Sequence, residues 1–308
     1  MSAETAFIDS LRALATDPAA RGLLDDAAVL EVDGAFLILT HDMIVEGVHY
    51  LPGDPPADVA WKLVAVNLSD LAAKGARPIG VLLGFTLGGE EWDCAFADGL
   101  GAALAAFGIP LLGGDTVSAP ARVLGMTAIG RAAHMPPSRS GARAGDLLWV
   151  SGTIGDAGAG LRVLKGELGA ADPLVERYRN PRPRLEAGER LAPLVSAMMD
   201  VSDGLLLDAA RMAAASGCAV QIELDSVPLS AAYLALLGEA RLDAAGAGDD
   251  YELLFAAGPA RAPAILALAD EIGLPLSRIG AFAAGSGLAL TERGAPVPLP
   301  ARLGFEHG

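Results

Sequence analysis

Lysine is nearly absent: Lys62, Lys74 and Lys165 are the only three in 308 residues. Lysine and arginine together number 22 against 38 acidic residues, a formal net charge of −16. No run of basic residues occurs, which argues against a nucleic-acid-binding face. A chain this acidic must hold an anionic substrate through metal ions or backbone amides. Two cysteines, Cys94 and Cys218, are too few for a disulfide framework and fit a reducing, cytoplasmic setting. Mean hydropathy is high, +0.42, but alanine raises it. No stretch approaches 18 apolar residues without charges or turn formers, so no membrane span is expected. The N-terminus, MSAETAFIDSLRALATDP, carries acids early and lacks a basic segment before an apolar run, unlike a secretory signal.

The familiar motifs are also missing. Without GxxxxGK[ST] there is no P-loop, without HExxH or CxxC a zinc centre is disfavoured, and without GxSxG a serine hydrolase is disfavoured. The segment SGTIGDAGAG (151–160) lacks GxGxxG spacing, leaving helix–strand packing or a backbone role near a ligand. What is present is core material: 52% hydrophobic and 19% charged residues exclude a largely disordered chain. The length suits one large domain or two medium ones.

Periodicity predicts mixed α/β structure. Strands are expected at 27–32 and 35–40 around the Asp33-Gly34 turn, and at 79–87, 122–131, 147–151, 197–201, 219–224, 251–257 and 276–282. Helices are expected at 5–16, 57–73, 92–107, 157–166, 184–195, 203–216, 230–240 and 260–273. Val59, Leu63, Val66 and Leu71 share a face of the second helix. The Pro-, Gly-, Ser- and Arg-rich segment HMPPSRSGARAGD (134–146) divides the chain into domains of 1–137 and 138–308.

Aspartates cluster where strands end or glycines turn. Asp25 and Asp26 precede a strand, Asp42 follows one, Asp70 sits in a helical pattern, and Asp115 follows two glycines. Asp200 and Asp203 end a strand, and Asp249 and Asp250 precede another. Any one of them is explained by an Asx turn or an N-cap, and Asp203 in particular could cap the helix beginning at Gly204. Six such places together suggest hard cations bridging carboxylates to phosphates. His49 and His41, each alone, read more readily as packed or surface histidines than as functional ones, and Arg139 and Arg143 as a solvated linker or a phosphate clamp.

In this order DDAAVL, THDMIVEGVHY, AVNLSDLAAKGARP, LLGGDT, SRSGARAGD, DVSDGLLLD and GDDYELLF resemble the thiamine-monophosphate kinase family. That family is related to aminoimidazole-ribonucleotide synthetase, selenophosphate synthetase and the hydrogenase maturation synthetase. The resemblance covers about 20–308. It implies ATP-dependent, direct phosphorylation of thiamine monophosphate to thiamine diphosphate with several Mg²⁺ ions. It also implies a two-domain α/β fold of the aminoimidazole-ribonucleotide synthetase type, with an N-terminal domain that dimerises through its sheet. By motif position, Asp26, Thr40, Asp42, Asp70, Asp115, Asp200 and Asp203 would be metal ligands, with Asp42, Asp70 and Asp203 at the chemistry. Gly114, Asp115, Arg139 and Ser202 would contact ATP, and His49, Asp249 and Phe305 the substrate. Phe305 offers an aromatic face to a cationic heterocycle, or merely plugs a groove.

The chain departs from the family pattern at Leu24 (usually glycine), His41 (a small hydroxyl residue), Lys74 (methionine) and Asp249 (glutamate). The alternatives are an amidine-forming ATP-using synthetase of the same superfamily and a non-catalytic metabolite-binding relative. The full aspartate set counts against the second.

Overall fold

The computed structural model describes residues 3–306; residues 1, 2, 307 and 308, the ends of the two expected domains, lie outside the description. Among the described residues twelve strands form two sheets. The strands are β1 (Ala28–Val32), β2 (Ala35–Val45), β3 (Arg77–Thr86), β4 (Leu111–Val117), β5 (Val123–Ala132), β6 (Leu147–Ser151), β7 (Ala197–Asp200), β8 (Ala219–Glu223), β9 (Leu253–Ala257), β10 (Leu276–Ala283), β11 (Gly287–Glu292) and β12 (Ala295–Val297). The first sheet runs β1-β2-β5-β3-β4 and the second β12-β11-β8-β10-β6-β9-β7. The helices are α1 (Ala3–Leu11), α2 (Pro56–Ala73), α3 (Glu90–Phe107), α4 (Asp156–Leu164), α5 (Asp172–Arg179), α6 (Leu185–Leu191), α7 (Leu205–Ser216), α8 (Ala231–Leu237), α9 (Arg241–Ala245) and α10 (Ala262–Ile272).

One face of the first sheet is covered. Ile38, Ile44, Val81, Leu124 and Met126 form a core there with Val59, Leu63 and Leu71 of α2 and Phe96 of α3. The opposite face carries exposed apolar side chains, among them Met43, Leu82 and Val117. The second sheet has α7 against one face and α6 and α10 against the other. Buried on both faces, β9 is apolar throughout, LLFAA.

Helix α2 begins with Pro56 at its first position, where the missing amide hydrogen costs nothing. From Val59 to Ala73 nearly every side chain is buried. It packs on β2 and β5 on one side and on α6 and β7 on the other. A helix enclosed all round is the spine between two units.

The structure adds three features that the periodicity did not give and corrects two expectations. The segment 111–117 forms β4, although Gly113 and Gly114 obscured it. GLALTE and APV form β11 and β12, and residues 172–179 form α5. The expected helix at 230–240 is α8, followed by the separate α9, because Gly238 at positive φ ends the first. Asp203 caps no helix: Gly204 is the N-cap residue of α7 and no side-chain cap bond forms.

Candidate active site

Strand β2 and helix α2 carry the first half of the site. Alternation along β2 turns Thr40 and Asp42 toward α2, while His41 and Met43 face outward. The Asp42 amide donates to Asn67 Oδ1 at 2.9 Å, and Asn67 Nδ2 donates to the Leu63 carbonyl, so an α2 amide locks the strand beside it. Asp70, one turn further along α2, accepts the Thr40 hydroxyl. The Ser69 hydroxyl donates at 2.5 Å to Asp200 at the end of β7. The helix thus ties carboxylates from both sheets into one place.

The cluster has two electrostatic halves. Asp25 and Asp26 are ion-paired: Lys74 Nζ lies 2.5 Å from Asp25 Oδ1 and 2.7 Å from Asp26 Oδ2, and Arg139 pairs with Asp26 Oδ1. Burial pushes both carboxyls up. The Lys74 charge, with Arg21 for Asp25 and Arg139 for Asp26, more than offsets this and holds both below the usual range. Asp42, Asp70 and Asp200 have no cationic side-chain partner among the described residues. Burial, then the charges of Asp26 and Asp203, lifts Asp42 to about 6. Burial and neighbouring aspartates push Asp70 and Asp200 well above the carboxylate range. Asp203 pairs with Arg211, and its amide donates to the buried Asp208. Burial and the Asp203 charge raise Asp208 to about 7.

Beside this cluster opens a cavity of about 740 Å³. Asp42, His49, Ser202, Asp203, Asp249 and Phe305 all line it, together with Tyr251 and Lys165. The Val45 amide donates to His49 Nδ1 at 3.1 Å and sets the ring. Phe305 is anchored through its amide to the Asp203 carbonyl at 2.9 Å, and its side chain is about half exposed. Asp249 receives Lys62 Nζ at 2.9 Å and the Tyr251 hydroxyl at 3.1 Å. Asp250 does not line the cavity. It is buried and accepts the Gly155 amide at 2.7 Å and the Ala157 amide at 3.3 Å, bracing the start of α4. The turn before it is close-packed: a Cβ on Gly248 would lie 2.7 Å from the Ser202 carbonyl. Gly158 of the SGTIGDAGAG segment also lines the cavity. A Cβ on Gly160 would strike the Leu174 carbonyl at 2.1 Å, so that segment serves both packing and the site.

Gly114 and Asp115 stand apart. Across the sheet Asp115 is registered with Gly84, Gly84 with Gly125, and Gly125 with Met43. Side chains in one such row share a face, so Asp115 belongs with Met43 on the open face, opposite Asp42. Three strand spacings, roughly 14 Å, separate it from β2. At Gly114 a Cβ would lie 2.0 Å from the Leu83 carbonyl, so the close approach of β3 and β4 there admits only glycine. Sequence reasoning missed Lys62, Tyr251, Asp208 and Lys165. Tyr251 lies inside the GDDYELLF motif. For Lys62 the scarcity of lysine was the available signal.

Among the described residues no three acidic or histidine side chains form a ready-made metal cage. That suits Mg²⁺, which commonly takes one or two carboxylates and completes its shell with phosphate oxygens and water. Buried Asp70 and Asp200 and the partly buried Asp42 are acids without a cationic side-chain partner among the described residues, and their chemistry fits such a role. A consequence follows for the metal-free protein. A carboxyl whose pKa is raised on folding binds its proton more tightly in the folded state. Its contribution is therefore complete below the ordinary value of 3.8 and is lost as pH rises through the folded value, about 6 for Asp42 and about 7 for Asp208. The depressed Asp25 and Asp26 lose theirs only on acidification below that range. In EDTA the melting temperature should be several degrees lower at pH 8 than at pH 5.5, and saturating Mg²⁺ should remove most of the difference. A calorimetric melting temperature that rises with pH in EDTA would contradict this electrostatic picture.

Two family models cover most of the chain: AIR synthase related protein, N-terminal domain, over 24–132, and its C-terminal domain over 143–292. The thiamine-monophosphate kinase of Caulobacter vibrioides is 43% identical over 305 residues, spanning 95% of this chain and 86% of that protein. The Salmonella typhimurium thiamine-monophosphate kinase is 38% identical, spanning 93% and 91%. Among solved structures, thiamine-monophosphate kinase from Stenotrophomonas maltophilia superposes with a TM-score of 0.78 at 38% identity, covering 94% of this chain and 95% of that one. AaThiL complexed with AMPPCP and TMP reaches 0.86 at 29% identity, covering 99% and 97%. Similarity of this depth along the whole chain, on the two-sheet fold described above, means that it belongs to the thiamine-monophosphate kinase family of AIR synthase related proteins.

Proposed function

We propose that this chain transfers the γ-phosphoryl group of ATP to thiamine monophosphate, giving thiamine diphosphate and ADP. The observation that carries the reading is the meeting of the two halves of the site. A cation-seeking group of buried and partly buried aspartates from both sheets lies beside a cavity lined by an aromatic face and an acidic side chain. The relatives named for this reaction, and a structural neighbour bound to an ATP analogue and TMP, support it.

Phosphoryl transfer demands in-line positioning and charge neutralisation more than covalent chemistry. In this reading Thr40, Asp42, Asp70, Asp200 and Asp203 hold Mg²⁺, which when bound supplies charge neutralisation at the phosphates. The family pattern places Asp26 in the same set, but in this chain Lys74 and Arg139 engage its two oxygens. Ser202 and Arg139 contact ATP, His49 orients the substrate phosphate, and Asp249 and Phe305 hold the thiamine portion. Asp115 and Gly114 reach ATP through a homodimer formed on the open face of the first sheet, whose exposed apolar side chains favour burial. The chain divides into domains at 137/138 and works in the cytoplasm. Among the described residues no helix is long and apolar enough to cross a membrane.

Transfer is direct, because His49 serves the substrate and not as a phosphorylated nucleophile. With Mg-ATP, ADP should appear only when thiamine monophosphate is present, and labelled ADP should not exchange into ATP without it. Robust exchange, or phosphate on the protein that survives base but is lost in acid, as on a histidine nitrogen, would overturn direct transfer. ADP release independent of thiamine monophosphate would overturn the acceptor.

A further inference from the structure

Lys74 is fully buried at the end of α2, in a protein with only three lysines, and has no place in the transfer described above. Its ammonium donates to Asp25 Oδ1 at 2.5 Å and to the Met198 carbonyl at 3.2 Å, and lies 2.7 Å from Asp26 Oδ2. A buried ammonium is costly unless its hydrogens and charge are engaged; here the Asp25 carboxylate and the Met198 carbonyl accept hydrogen bonds and the Asp26 carboxylate adds an ion pair. Met198 lies in β7, two residues before Asp200. The lysine therefore joins the Asp25–Asp26 turn, the end of α2 and the strand that delivers Asp200. The other oxygen of Asp26 is held by Arg139, and the other oxygen of Asp25 by Arg21.

We propose that the Lys74 ammonium is a built-in cation of the phosphoryl-transfer centre. It occupies the position beside Asp26 that one divalent ion would otherwise take, and leaves Asp42, Asp70, Asp200 and Asp203 as the carboxylates that recruit metal. A fixed monovalent charge on a tethered stem costs no ion from solution and cannot dissociate. It coordinates no phosphate oxygen of its own, so Lys74 is a positioning residue rather than a catalytic one. The proposal rests on the reading of this cluster as a Mg-ATP site.

The test counts bound Mn²⁺ by electron paramagnetic resonance in the full-length protein saturated with AMPPCP. Lys74→Met should bind one more Mn²⁺ per chain than the parent. Lys74→Gln keeps a hydrogen-bond donor without charge and safeguards against misfolding of the first variant; it should show the same gain. Lys74→Arg, which restores the charge, should return the parent's count. Equal counts in the parent and in whichever neutral variant folds would overturn the proposal while leaving the site's reading intact. A parent that binds no Mn²⁺ in the presence of AMPPCP would overturn the reading of the site itself.

Discussion

Asp70→Asn is expected to lower kcat about 1000-fold while leaving the protein folded. Asp70 is buried, accepts the Thr40 hydroxyl, and has Asp42, Asp200 and Asp26 as its electrostatic neighbours. Asparagine retains an oxygen for Thr40 but removes the charge that recruits a cation. Charge stabilisation by a bound metal is worth several kcal/mol in the transition state, and three powers of ten correspond to about 4 kcal/mol. The same substitution relieves repulsion within the cluster, so the metal-free variant should melt at or above the parent's temperature. Steady-state kinetics at saturating Mg²⁺ together with a melting curve separate the two effects. Near-normal turnover would remove Asp70 from the site, and loss of folding would assign it a structural role.

The second large effect is expected at Asp249. Its carboxylate lines the cavity and receives Lys62 and Tyr251. Asp249→Ala removes an acidic acceptor for the cationic thiamine portion and exposes that portion to the Lys62 ammonium, now without its carboxylate. A charged hydrogen bond of this kind is worth roughly 1.5–3 kcal/mol, which is about 10- to 150-fold. The KM for thiamine monophosphate should rise by that factor while the KM for ATP changes little. Asp250→Ala should behave differently. It leaves the Gly155 and Ala157 amides unpaired in a buried place, at about 1–3 kcal/mol each. It should therefore lower the melting temperature more than it alters either KM. An unchanged substrate KM in Asp249→Ala with a raised one in Asp250→Ala would reverse the assignment.

How much of this was legible beforehand depends on the range of the interaction. The apolar period of α2 was visible because it is local. Its enclosure on every side was not, since α6 and β7, over a hundred residues later, cover the second face. Strand β4 was hidden by Gly113 and Gly114, whose value is the close approach to β3 and not intrinsic strand preference. The aspartates were legible as a set, yet their sorting was not. Asp115 falls on the open face by the pleat of β4, and Asp250 turns inward to α4 while Asp249 meets the cavity. The methylene missing at Asp249 left its role in doubt from sequence. In the fold that carboxylate has two partners already in place. Lys74 read as a departure from a pattern, and only the meeting of α2 with the Asp25–Asp26 turn, 49 residues away, gives it a partner.

The most direct test of the account follows the γ-phosphorus itself. With ATP labelled at that position, Mg²⁺ and thiamine monophosphate, the protein should place the label in the terminal phosphate of thiamine diphosphate, one for each ADP formed. Label recovered as inorganic phosphate, with thiamine monophosphate unchanged, would contradict it.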